Sequence, residues 1–321
     1  MAPKVVVFEP DSIYRTLTEA ILLKDSYKTY FVNSSDECKN VTSEIKPDIL
    51  IIDINAAKPN NFAIIKELQK LTSAPIVMTA EENIDDHLDN ISQLKITIVL
   101  TKPIKSSELL RAMKNLLEVD SRLWFGITNY LPDAKKLRSL TLKRSTQVRS
   151  CIKSILNEMK AWGFNFNHEV EMDLVWQEIL INAVYHSHGY SHEKRERIQI
   201  ELPDPYRVDV RYAASSSAFG ISVRDYMGTL TPSLVIESIS KAIEQQRLIA
   251  KAAQTGEDIS NALMDRGRGI DLIRQLAGEY YFIIDPGNST EVIIIYDRYY
   301  EKDDTVGGLK IFDLSYYLSR G

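Results

Sequence analysis

Five short apolar runs, at residues 5–8, 30–32, 49–52, 76–78 and 96–100, most constrain what the first third of this 321-residue chain can fold into. They are rich in Val and Ile and almost uninterrupted by polar residues. A strand with one solvated face alternates apolar and polar positions, whereas a strand buried on both faces does not. Between the runs lie amphipathic stretches near 12–24, 34–45, 61–71, 84–93 and 106–118, with Ser12, Ser34 and Ser106 placed to cap helices. Five strand–helix repeats in succession predict a doubly wound α/β domain around a five-stranded parallel sheet.

Ligands of such sheets bind beyond the carboxyl ends of the strands. The residues there are Glu9 and Asp11, Asp53, Thr79 and Lys102. A carboxylate can accept a phosphoryl group, a lysine can pair with its charge, and a hydroxyl can meet it. Further acids suit Mg²⁺, which prefers oxygen ligands. On Pro47-Asp48-Ile49-Leu50-Ile51-Ile52-Asp53, Ala74-Pro75-Ile76-Val77-Met78-Thr79-Ala80 and Lys102-Pro103, residues 1–119 resemble the receiver domain of bacterial two-component response regulators. The resemblance implies that Asp53 is the phosphoacceptor and that Glu9, Asp11 and Asp53 hold Mg²⁺. It implies further that Thr79 and Lys102 complete the pocket, that an upstream histidine kinase is a partner, and that the peptide before Pro103 is cis. The chain departs from the family pattern at Pro10, where a second acid is usual, at Ala57, where Pro is usual, and at Asn61, where Gly is usual. A pseudo-receiver that binds a partner without phosphorylation therefore stays open.

A Lys/Arg-punctuated segment follows, broken by Pro132 and carrying Trp124, Phe125 and Tyr130. It reads as a connector at 120–140, too aromatic to hang free. Beyond it, helical spacing runs from Thr141 to Trp162 and again from about Glu171 to His186, where Glu178 and Asn182 share a face four residues apart. Strand-like runs at 198–202, 206–211 and 219–224 lead into Asp225 and Gly228. A long polar helical insert follows, and then Asp265-Arg266-Gly267-Arg268-Gly269-Ile270 opens a helix. Each feature alone has an ordinary reading: a solvated helix face, an Asp-initiated turn, a capped loop. In this order they resemble the ATP-binding domain of the GHKL superfamily, over residues 141–298, with 299–321 as a C-terminal extension. Asn182-Ala183-Val184-Tyr185-His186 and Gly267-Arg268-Gly269-Ile270 point to its anti-sigma-factor serine kinase branch.

The resemblance implies an α/β sandwich, a mixed sheet with helices on one face, that binds ATP and Mg²⁺. Glu178 is the catalytic residue, orienting or deprotonating the attacking hydroxyl, and Asn182 coordinates Mg²⁺. Asp225 and Gly228 form the adenine pocket with Thr290 beside it. Gly267 and Gly269 meet the phosphates beneath a lid at 231–266, with Arg266 and Arg268 as charge partners. The implied activity is serine/threonine kinase action on a STAS-type anti-sigma antagonist, with a sigma factor as alternate partner. Met227 and Thr229 stand where the family's first box has glycines. A non-catalytic, nucleotide-dependent switch stays open, and so does a histidine-kinase relative, though His168 lacks the upstream helix-pair setting that reading needs. His186, His188 and His192 read as solvated side chains at a helix end rather than as a metal site.

Composition excludes several classes. The net charge of −5 is unlike the basic footprint of a nucleic-acid binder. Two isolated cysteines give neither a disulfide framework nor a zinc site. No apolar run approaches a membrane span, and the N-terminal residues do not read as a secretory signal. A cytoplasmic protein-binding module is the expectation, with homodimerisation open.

Overall fold

A computed structural model describes residues 2–59, 61–81, 84–118, 120–165, 168–255, 268–298 and 307–315. The chain divides into two compact units. One runs to Leu123 and takes in Gly308–Lys310; the other begins at Trp124 and takes in residues 311–315.

In the first unit, strands β1 (Lys4–Phe8), β2 (Lys28–Val32), β3 (Ile49–Asp53), β4 (Ile76–Ala80) and β5 (Ile98–Thr101) pair in parallel in the order β2-β1-β3-β4-β5. Helices α1 (Ser12–Leu23), α2 (Ser35–Ile45), α3 (Ile54–Ala57), α4 (Ala63–Leu71), α5 (Leu88–Gln93) and α6 (Ser106–Leu117) connect and follow them. Every residue of β3 and β4 is buried, as their unbroken apolar runs require. The strand order reverses beside β1 and β3, so their carboxyl ends flank the crevice where such sheets bind ligands. Leu309 and Lys310 pair antiparallel with Val99 and Ile98.

Asn61 accounts for one departure from the receiver pattern. Its φ is +52°, in the left-handed region, where Asn is the best substitute for Gly. The peptide between Lys102 and Pro103 is cis.

The second unit opens with the short helix α7 (Ile127–Tyr130), followed by β6 (Lys136–Leu142), α8 (Val148–Ala161), α9 (Glu169–Ile181), α10 (Ser191–Arg195), β7 (Val208–Ala214), β8 (Ala218–Asp225), α11 (Pro232–Thr255), α12 (Arg268–Leu276), β9 (Glu279–Asp285) and β10 (Ser289–Asp297). The strands pair antiparallel in the order β9-β10-β8-β7-β6. Ile311–Asp313 lies parallel to β9, which makes the sheet mixed. On one face Trp176 of α9 meets Tyr296 of β10 edge-on, and Phe164 meets Phe219. Residues 124–131 cover the other face. Trp124, Ile127, Tyr130 and Leu131 are buried, and Tyr130 packs 4.7 Å from Tyr281 of β9. Glu291, buried on that face, accepts a hydrogen bond from the Gly126 N–H at 2.9 Å.

Two sequence expectations shift here. Residues 136–142 form a strand rather than part of a connector, because Leu140 and Leu142 alternate with polar neighbours at a strand's period. Residues 198–202 contribute a single bridge, Arg144 to Glu201, and no strand. Arg266, Gly267, the end of the proposed lid and residues 299–306 and 316–321 lie outside the described residues, as does the Arg268 side chain. Burial pushes the Cys38 and Cys151 thiols up to about 11 and about 12, so neither is a nucleophile near neutral pH. No helix among the described residues is long and apolar enough to cross a membrane.

Candidate functional site

In the first unit, Glu9, Asp53, Thr79 and Lys102 converge and are all buried. Asp53 ends β3 and caps α3. Its Oδ1 accepts from the N–H groups of Asn55 at 2.8 Å and Ala56 at 3.2 Å. Its Oδ2 accepts from Lys102 Nζ at 2.8 Å, and the same ammonium lies 2.6 Å from Glu9 Oε2. Thr79 is the cross-strand neighbour of Asp53, and its buried hydroxyl finds no hydrogen-bond partner among the described residues. A buried hydroxyl without a partner is costly unless a ligand supplies one. Burial raises Glu9 above the usual carboxylate range, and the Asp53 charge adds to this against the opposing pull of Lys102. Burial alone would lower Lys102, but hydrogen bonds to Asp53 and Glu9 outweigh it and hold the ammonium above its ordinary value.

Asp11 does not join this group. Its carboxylate caps α1 through the Ile13 and Tyr14 N–H groups at 2.8 and 3.1 Å, while its own N–H binds Glu9 Oε1. With Pro10 unable to ligate, Glu9 and Asp53 are the two buried carboxylates gathered here, and the exposed Glu81 lies 3.9 Å from Lys102 Nζ at the rim. Two oxygen donors with the remaining positions left to water and phosphate fit Mg²⁺. Tyr14, which nothing in the sequence marks, lays its ring 4.3 Å from Lys102 Nζ.

In the second unit, the end of α9 runs into a π-helical turn, Asn182–His186. Such turns occur often at functional sites. Gly269, in the first turn of α12, abuts this segment closely: a Cβ there would lie 2.5 Å from Glu178 Oε2 and 3.3 Å from Asn182 Nδ2. The absence of a side chain at Gly269 lets the helix start approach both groups. Asp225, buried at the end of β8, accepts from the Met227 and Gly228 N–H groups through Oδ1. Burial raises Asp225 despite these bonds. Thr290 faces it across the β8–β10 ladder, and the buried Thr290 hydroxyl is also without a partner among the described residues. Gly228, at φ +58°, could not carry a Cβ, which would fall 2.5 Å from the Asn288 nitrogen. Thr229 Oγ1 donates to the Ser187 carbonyl at 3.4 Å, tying the Asp225 turn to the segment after Asn182.

The histidines disperse. His186 bonds Ser191 and Lys194, while His188 bonds the Ala183 and Tyr206 carbonyls. No group of three or more His, Cys, Asp or Glu is placed to hold a metal ion among the described residues.

Residues 5–114 match the response regulator receiver domain family. That assigns the first unit a receiver fold, the module used in two-component signalling. Similar solved structures include the chemotaxis protein CheY4 of Vibrio cholerae, 20% identical over 36% of this chain and 100% of that one, with a TM-score of 0.34. A receiver domain from Clostridium thermocellum is 20% identical over 39% and 100%, with a TM-score of 0.34. The N-terminal domain of an uncharacterized protein from Wolinella succinogenes is 16% identical over 36% and 94%, with a TM-score of 0.33.

Proposed function

We propose that the receiver, through the state of Asp53, governs a GHKL-type ATP-binding domain that acts as a serine/threonine kinase on a protein partner. The observation that carries the reading is the Asp225–Thr290 pair. A buried carboxylate, whose Oδ2 takes no hydrogen bond among the described residues, stands beside an unpartnered buried hydroxyl, close to where Glu178, Asn182 and Gly269 meet. That is one acceptor and one donor–acceptor for a nucleobase edge, with a helix start nearby for phosphates.

In the receiver, an Asp53 oxygen attacks the phosphorus of the donor phosphohistidine, and the N–P bond breaks with its electrons returning to the imidazole. Lys102 offsets the added charge and Thr79 supplies a hydrogen bond. Glu9 and Asp53 would hold Mg²⁺, which would supply positive charge for the phosphoryl oxygens. In the second unit, Glu178 takes the proton of a partner Ser or Thr hydroxyl as its oxygen bonds the γ-phosphorus and ADP leaves. Asn182 would hold the Mg²⁺ that accompanies the nucleotide. The resemblance to anti-sigma kinases supports a STAS-type antagonist as substrate and a sigma factor as alternate partner.

The test is labelled ATP with the full chain and candidate STAS proteins. Label transfer that disappears in Glu178→Gln supports the kinase. MgATP binding without transfer to any tested partner supports a non-catalytic switch, the reading that Met227 and Thr229 in place of glycines favour. Absence of MgATP binding overturns both. A smaller effect isolates the base edge. Thr290→Val is expected to stabilise the free protein by about 1 kcal/mol, since a methyl replaces an unsatisfied buried hydroxyl. The same change should weaken MgATP binding roughly fivefold. Urea unfolding and calorimetric titration read the two opposite signs.

A further inference from the structure

The basic segment after Pro132 has no role in either site. Between Asp133 and Glu158 the chain carries seven Lys or Arg and no acid, although its net charge is −5. The structure makes part of this segment β6, which ends the strand order of its unit and pairs with β7 alone among the named strands. Its outer edge presents backbone N–H and C=O groups, and Lys136, Leu137, Arg138 and Ser139 are all exposed. Beside it opens a cleft of about 500 Å³ lined by Ile127, Thr128, Leu137, Arg138, Ser139 and Arg211.

The face of β6 at this cleft has a readable pattern. Leu137 and Ser139 lie two apart and so share a face, and Ser139 is the cross-strand neighbour of Arg211. Arg211 is exposed and makes no hydrogen bond or ion pair among the described residues, and the buried Glu291 lies close enough to feel its charge. The exposed apolar side chain of Leu137 therefore adjoins a guanidinium, with Thr128 and Ser139 beside it. On the other face Arg138 reaches Glu158 at 2.8 Å, and Lys136 lies over the Trp162 ring.

We propose that β6 is a docking edge for an extended acidic segment of a partner protein, which adds as a strand and places a carboxylate on Arg211 and an apolar side chain against Leu137. Backbone pairing gives such complexes affinity, and alternate side chains give specificity. The charge selects the occupant. A second copy pairing through the same edge would set Lys and Arg against Lys and Arg, which is unfavourable across a ladder, whereas an acidic strand is complementary. The inference depends on neither Asp53 phosphorylation nor nucleotide binding.

The test uses the full chain and a fluorescein-labelled peptide of alternating Val and Glu, about eight residues long to match the edge, with a Val/Lys peptide as control. The acidic peptide is expected to bind, more weakly as salt rises, and to slow hydrogen exchange in β6. Arg211→Ala should weaken it about tenfold. Arg211→Glu should shift preference toward the Lys peptide, a gain that a misfolded variant cannot produce. Equal binding of both peptides overturns the proposal, as does protection that spares β6 or sedimentation showing β6 occupied by a second copy.

Discussion

Replacing Lys102 by Met is expected to cost the first unit about 3–5 kcal/mol at neutral pH, because it leaves two buried carboxylates facing one another without their shared cation. Lys102 Nζ lies 2.8 Å from Asp53 and 2.6 Å from Glu9, in a site where all three side chains are almost fully enclosed. Glu9 is already raised by burial, then by the Asp53 charge, with Lys102 as the counterweight. Without that counterweight the folded-state value of Glu9 climbs further above its unfolded value. A carboxylate raised on folding gives stability that is full below its unfolded pKa and lost as pH rises through the folded one. The gap between the two proteins should therefore narrow toward about pH 4–5 and be widest above neutrality. Trp124, Trp162 and Trp176 all lie in the second unit, so hydrogen exchange of β1 and β3 amides at both pH values is the suitable readout. Adding Glu9→Gln to Lys102→Met should recover much of the loss, since one charge is removed from the pair. A loss that is equal at pH 5 and pH 8 would instead assign the lysine's effect to packing over Tyr14.

Much of this unit was legible in the sequence because buried parallel strands write themselves as unbroken apolar runs. The residues that end those runs fall on one rim whatever the loops do. Asp11 was not legible in the same way. Sequence places it one residue from the family's acid position, but only the structure shows its carboxylate spent on the α1 cap, a choice between metal and backbone that spacing does not decide. Asn61 is the converse, a departure that looks disruptive by letter and is accommodated by conformation.

In the second unit β6 is the strand that sequence pattern hides. The apolar residues after Leu137 suit a helix at 3.6 and a strand at 2.0 over so short a stretch, and β6 emerges because β7 offers a partner, a long-range fact. The cover over the sheet's second face was equally hidden. Aromatic content announced that residues 124–131 pack somewhere, whereas the Gly126–Glu291 bond that fixes them joins positions 165 apart. Thr290 was named from motif order, but its significance lies in having no partner, which is a property of packing and not of sequence.

Asp225 offers the sharpest test of what that unit binds. A carboxylate can only accept hydrogen bonds, the adenine amino group donates, and the matching guanine atom, O6, accepts. ATP is therefore expected to bind about 10²-fold more tightly than GTP, and Asp225→Asn to weaken ATP roughly 10–100-fold while leaving GTP nearly unchanged, because the amide can turn a donor to O6. The buried environment adds a pH signature. Burial holds Asp225 above the usual carboxylate range, against the Met227 and Gly228 N–H bonds. The free protein is thus stabilised as pH falls through that raised value, while ATP, which needs the ionised form, binds less tightly. Protonation and nucleotide compete for one oxygen, so binding on the acid side of neutrality should expel a proton. Calorimetric titration in two buffers of different ionisation enthalpy detects it, and Asp225→Asn should abolish it. Equal affinity for ATP and GTP, with heats independent of buffer, would remove Asp225 from the nucleobase and with it the observation on which the nucleotide reading rests.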